Sequence, residues 1–406
     1  MTTTRSDRAV ATTSRRELLG LSAAWFAISA LRPAGRAGDR SASAPAARSA
    51  DAETLPRFAY VGSFATSTRG AHGEGLSVYA IDAATGRWAR VQLLSSVVNP
   101  GYLALDPRRP VLYAVQPVAN EVSAFAIDDR TGELTLINRQ PSGGDDPSHV
   151  VIDPAGKWLV VTNYVAGTVE LLPVKTDGSL GAPTDVVATK GELGPHRTEQ
   201  PGPHPHQCQF DPGGRFVVVP DKGLDRLFIF RIDGAKGTLV PADPPFTQTR
   251  SGAGPRHIAF HPRLPYAWVI NELDSTVAAY RFGQTGAPEA IQIVPSLPSN
   301  FTGNNTGAAI VVAPSGRFVY VSNRGHDSVG IFRIDESNGT LSPAGWEPTK
   351  GSTPRFIGLN PAGTRLFAAN QRSDSIVEFS VDQATGALSA TGQVVKANTP
   401  VCIVFR

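Results

Sequence analysis

Six prolines at near-even spacing, Pro107, Pro154, Pro212, Pro262, Pro314 and Pro361, each sit in a turn between two short apolar runs. The segments read LALDPRRPVLYAVQ, VIDPAGKWLVVTN, FDPGGRFVVVPD, FHPRLPYAWVIN, VAPSGRFVYVSN and LNPAGTRLFAAN. A third run follows each one and closes most often on Thr-Gly, Asn-Gly or Lys-Gly, as at Thr85-Gly86, Thr131-Gly132 and Thr385-Gly386. The period is about fifty residues, the length of one four-stranded propeller blade. Helix signals are nearly absent. TPVCIVFR at Thr399 to Arg406 matches a first strand with nothing after it, and RFAYVGSF at Arg57 to Phe64 opens as a second strand with nothing before it. The two ends therefore complete one seventh copy. Residues 55–406 are predicted to form an all-β, seven-bladed β-propeller with four-stranded antiparallel blades, its ring closed by the C-terminal strand joining the N-terminal blade.

Residues 1–54 are rich in Ala, Ser, Thr and Arg and lack the alternating pattern. Ser14-Arg15-Arg16-Glu17-Leu18-Leu19 followed by an apolar stretch to Leu31 is a twin-arginine signature, which predicts export to the periplasm. The stretch is shorter than the roughly twenty residues that span a bilayer, so no membrane anchor is expected. The leader carries eight Arg against five acidic residues, which leaves equal numbers of basic and acidic residues in 55–406. A neutral domain without a recognition motif argues against a nucleic-acid partner. Cys208 and Cys402 fall in strands of different repeats and are expected to remain buried thiols, and the chain is expected to act as a monomer without a cofactor.

Strands a to d of a blade run outward from the central channel and alternate in direction. The recurrent Pro and Thr-Gly turns therefore lie on one face, and the ends of strand b and starts of strands a and c lie on the other. Strand b ends on Ser63, Gln116, Asn163, Asp221, Asn271, Asn323 and Asn370, polar in every copy, which points to bonds with the adjoining loop backbone. The next position reads Phe64, Pro117, Tyr164, Lys222, Glu272, Arg324 and Gln371, a set that no shared fold requirement explains. Near the start of strand a the chain varies likewise: Gly101, Ser148, His206, Arg256, Ala308, Arg355 and Val401.

These two rings place His206, Lys222, Arg256, Glu272, Arg324 and Arg355 on consecutive blades around one side of the channel mouth. Several cations with a carboxylate and a histidine suit a small anionic or oxygen-rich ligand. A long connection, Lys190 to Gln207, brings His196, Arg197, Glu199 and His204 over the same face, and His204 and Arg197 join Lys222 and Arg355 as candidate substrate-binding residues. His204 and His206 stand two apart on an extended segment and would chelate poorly; a metal site would need His149 or Glu192, and none is expected. Strict alternation turns His257 away from Arg256 and the mouth. Asp225 and Asp327 are expected to orient Lys222 and Arg324.

GPHPHQCQFDPGGRFVVVPDKGLDRLFIF, GPRHIAFHPRLPYAWVINELDSTVAAY and APSGRFVYVSNRGHDSVGIFRID resemble the lactonase family of seven-bladed propellers, which includes 6-phosphogluconolactonases and carboxy-cis,cis-muconate cyclase. The resemblance runs from Phe58 onward and implies His206, Arg256, Glu272 and Arg324 as catalytic residues. It implies hydrolysis of a small sugar-type lactone, with Glu272 or His206 activating water and arginines stabilising the anion. Lactone formation from a muconate-like diacid and a non-catalytic binding propeller are the alternatives. No Gly-x-Ser-x-Gly elbow is present.

Overall fold

The computed structural model describes residues 55–67, 70–283 and 286–406. The leader reading lies outside them. The described residues form seven four-stranded sheets, each antiparallel with its strands in chain order. The exception in order is blade 1, where Pro400–Phe405 is strand a beside Phe58–Ser63, Leu76–Ile81 and Trp88–Leu94. Val61 pairs with Ile403 and Tyr60 with Val404, so the chain ends close the ring as the split repeat predicts.

Apolar clusters lie between adjacent blades. Phe318, Tyr320 and Ile331 of blade 6 pack against Ile357, Leu366 and Phe379 of blade 7. Blades 1 and 2 do the same through Phe58, Tyr60, Leu112 and Phe125. Both faces of an inner strand are thereby covered, which is why strands b read as nearly continuous apolar runs.

The glycine turns acquire a reason at this junction. Tyr60 donates to Gly132 O, Tyr113 to Gly178 O, Trp268 to Gly339 O and Tyr320 to Gly386 O, at 3.0 to 3.1 Å. In each case an aromatic of strand b reaches the c–d turn of the next blade. Gly386 has φ +77°, and a Cβ there would stand 2.4 Å from Phe318 Cδ1, so the turn needs glycine for backbone and for space.

Two further sets of polar residues tie blade to blade. Asn163, Asn323 and Asn370 donate to Ser142 O, Ser296 O and Thr349 O of the preceding connection. The expected bonds to the adjoining loop are seen at Asp221, which accepts from Gly223 and Leu224 N–H, while the asparagines reach backward to the blade before. At the start of strand c, Asn120, Asp225, Asp327 and Asp374 all have φ of 53 to 54° and accept from Asp146, Gly254, Thr353 and Thr399 N–H of the next blade. Asp225 and Asp327 thus fasten neighbouring blades and do not orient Lys222 or Arg324.

Candidate active site

Strand a carries a bulge just after its first proline. The register passes from Pro147 to His149, from Pro255 to His257 and from Pro354 to Phe356, skipping Ser148, Arg256 and Arg355. An inserted residue of this kind suspends alternation, so two successive side chains reach the channel. Blade 4 arrives at the same result differently. Its ladder is only Gln209–Phe210, and His206 is held by its N–H to Pro220 O at 3.0 Å beside the isolated pairing of Pro205 with Asp221.

His257 consequently faces inward, correcting the expectation that it turns away. Its ring stands 5.2 Å from His206 and 5.9 Å from His149, and the His149 ring lies 3.8 Å from Tyr102, which also meets Phe356. Rings from blades 2, 3, 5 and 7 meet in this way across the channel and plug it. Burial, with the nearby Arg256 charge, pushes His149 down to about 3 and holds His257 far below the usual imidazole range.

Next to this plug a cavity of about 220 Å³ is lined by Phe64, Gly101, Pro117, Asp146, Pro147, Ser148, Tyr164, His206, Glu272, Arg324 and Arg355. Glu272 organises its charged side. Oε1 lies 2.7 Å from Lys222 Nζ, while Oε2 lies 2.9 Å from Arg256 Nε and 3.1 Å from Arg324 Nη2. Burial opposes ionisation of Glu272, but Arg324, Lys222 and Arg256 together outweigh it and hold the carboxyl well below the ordinary range. Lys222 is also 2.6 Å from Glu199 of the long connection. An alternating chain of charge therefore runs from that connection to the cavity wall.

The candidate residues divide by position. His206, Glu272, Arg324 and Arg355 line the cavity. Arg256, 2% exposed, reaches it through Glu272 and bonds Ala308 O and His257 Nε2. Lys222 also stands off the lining. His204 stacks on Tyr164 at 4.3 Å, and Arg197 remains exposed on the connection. Among the described residues no group of three or more His, Cys, Asp or Glu side chains is arranged to hold a metal ion. Cys208 and Cys402 are free, buried thiols.

Two lining groups are chemically poised. His206 is held far below the usual imidazole range by burial, then by Arg256, Arg355 and Lys222, so it is a neutral proton acceptor, and its Nδ1 is buried without a partner. Arg324 donates from Nη2 to Gly307 O, while its Nε is buried without a partner. Buried polar atoms are rarely left so, and these two belong to residues that line the cavity. The guanidinium of Arg355 lies over the Phe64 ring at 5.2 Å, which fixes it on the wall of the adjoining blades. Tyr164, which charge patterning passes over, was marked in the sequence only by standing in a ring that refuses to repeat.

A family model described as lactonase, 7-bladed beta-propeller, matches residues 58–405. A 6-phosphogluconolactonase of Bacillus subtilis is 36% identical over 299 residues, covering 73% of this chain and 84% of that protein. One of Formosa agariphila is 32% identical over 305 residues, with the same coverage of 73% and 84%. Among solved structures, the periplasmic gluconolactonase of Pseudomonas aeruginosa matches with a TM-score of 0.78 and 28% identity, covering 86% of this chain and 98% of that one.

Proposed function

Since the chain belongs to the lactonase family of seven-bladed β-propellers, we propose that it hydrolyses a small sugar-type lactone in the channel cavity, using His206 as the base that activates water. The reaction class, lactone hydrolysis, follows from the family and from the relatives named for it. The observation that carries the mechanism is the contrast between the two candidate bases. Glu272 has both oxygens committed to three cations, whereas His206 is neutral and lines the cavity. Glu272 accordingly serves to hold Arg256 and Arg324, and Arg324 and Arg355 meet the substrate's anionic or oxygen-rich groups.

Water attacking the lactone carbonyl gives its proton to His206 while Arg324 faces the developing negative charge. The ring C–O bond then breaks, and the proton passes to the departing oxygen. Titration at constant pH against gluconolactone, 6-phosphogluconolactone and other lactones tests the reading. Turnover above the spontaneous rate on at least one lactone is expected; none on any would remove it.

The twin-arginine segment supports export of the folded domain as a second part of this proposal. A leader–reporter fusion should be exported with the native Arg15 and Arg16 and retained after Arg15→Lys with Arg16→Lys. Equal export of both would refute it.

A further inference from the structure

Tyr164 follows the buried Asn163 at the end of strand b in blade 3 and lines the cavity beside His206. No demand of the propeller explains an aromatic hydroxyl there, since the matching positions carry residues as different as Pro117, Glu272 and Gln371. Its surroundings nevertheless fix it closely. The His204 ring lies parallel to the phenol at 4.3 Å and 6°, and its Nδ1 is 2.9 Å from the main-chain carbonyl oxygen of Tyr164. His204 is itself anchored, with its N–H to Asp221 Oδ1 at 2.8 Å. The His206 ring stands edge-on to the phenol at 5.4 Å, and Lys222 Nζ lies 6.0 Å from the ring centroid.

The long connection thus spends two histidines, two residues apart, on one tyrosine, and brings that tyrosine against the candidate base. We propose that Tyr164 is a catalytic residue of lactone opening, its hydroxyl donating a hydrogen bond to the carbonyl oxygen as that oxygen becomes negative, and that His204 is the positioning residue that holds it. The inference rests on the lactone-hydrolysis reading above. As the water oxygen bonds to the carbonyl carbon, the carbonyl π pair moves onto oxygen and the water proton goes to His206. Collapse restores the carbonyl, the ring C–O bond breaks, and the proton on His206 goes to the alkoxide. Tyr164 donates a hydrogen bond throughout and transfers no proton. Burial raises the phenol above its ordinary range despite the charge of Lys222 and its hydrogen bond to the phenol oxygen, so the hydroxyl keeps its proton to donate.

Steady-state kinetics of Tyr164→Phe, His204→Ala and the double variant, on a lactone that the unaltered protein turns over, test this. Phenylalanine keeps the ring stack. Tyr164→Phe should lose on the order of 100-fold in kcat with KM nearly unchanged and the pH profile unmoved. His204→Ala should lose less, and should cost little more once Tyr164→Phe is present, because both act on one hydrogen bond. A kcat within twofold for Tyr164→Phe, a loss confined to KM, or fully additive effects would overturn the inference. Absence of any turnover by the unaltered protein would instead remove the lactonase reading, so the two failures are distinct.

Discussion

Glu170 shows how much one buried side chain can govern. It lies in strand c of blade 3, 0% exposed, with neither carboxyl oxygen hydrogen-bonded, and burial pushes it up to about 8 from an ordinary 4.5. The unfolded chain releases this proton near 4.5, while the folded protein keeps it until about 8. Stability therefore falls as pH rises through that window and levels off above it. Glu170→Gln removes the dependence, and urea unfolding should show it stabilising by roughly 2–4 kcal/mol more at pH 8 than at pH 5. An equal effect at both pH values would contradict the assignment. Glu170 carried no signal in the sequence because it sits between Val169 and Leu171 in a strand buried on both sides. His206, Glu272 and Arg324 were legible as departures from a repeat. Their division of labour was not, since it depends on which oxygen faces which cation.

At the scale of the strand and turn, the sequence was most readable where glycine or proline is compulsory and least readable where a bulge intervenes. Alternation sent His257 away from the channel, and the bulge at Arg256 brings it back. No local pattern marks that bulge apart from the proline before it. Asp225 and Asp327, which open strand c, read as orienting Lys222 and Arg324 because their true partners lie on the next blade, beyond the reach of local reading. The turn glycines stood out as recurrent Thr-Gly, Asn-Gly and Lys-Gly pairs, and positive φ and packing both constrain them. Gly386→Ala must strain the turn and push Phe318 and the Tyr320 bond aside. A loss of about 2–4 kcal/mol in thermal or urea unfolding is expected. Gly392, with φ +87° but nothing within 4 Å of its added Cβ, should lose less on the same substitution. Equal losses at the two positions would show that backbone strain alone sets the cost.

For the propeller as a whole, sevenfold repetition does two jobs that pull apart. Blades are joined by recurring contacts, aromatic to glycine carbonyl and Asx to backbone N–H, whose residues recur in the sequence although their partners on the next blade do not show there. The centre is assembled from what does not recur, with His206 from blade 4, Arg256 and Glu272 from blade 5, Arg324 from blade 6 and Arg355 from blade 7. Burial, reinforced by the arginines and the lysine around the channel, keeps His206 neutral. The measurement that tests this most directly is kcat/KM for lactone opening as a function of pH, with His206→Asn beside the unaltered protein. A depressed imidazole places the acid limb low, because activity is lost only when the base takes up a proton. A rate that stays flat from about pH 8 to well below the ordinary imidazole value of 6.5, then falls with one proton, is expected, with a loss of roughly 100-fold or more and that limb abolished in His206→Asn. An acid limb at or above the ordinary imidazole value of 6.5, or a His206→Asn profile that matches the unaltered one, would contradict it.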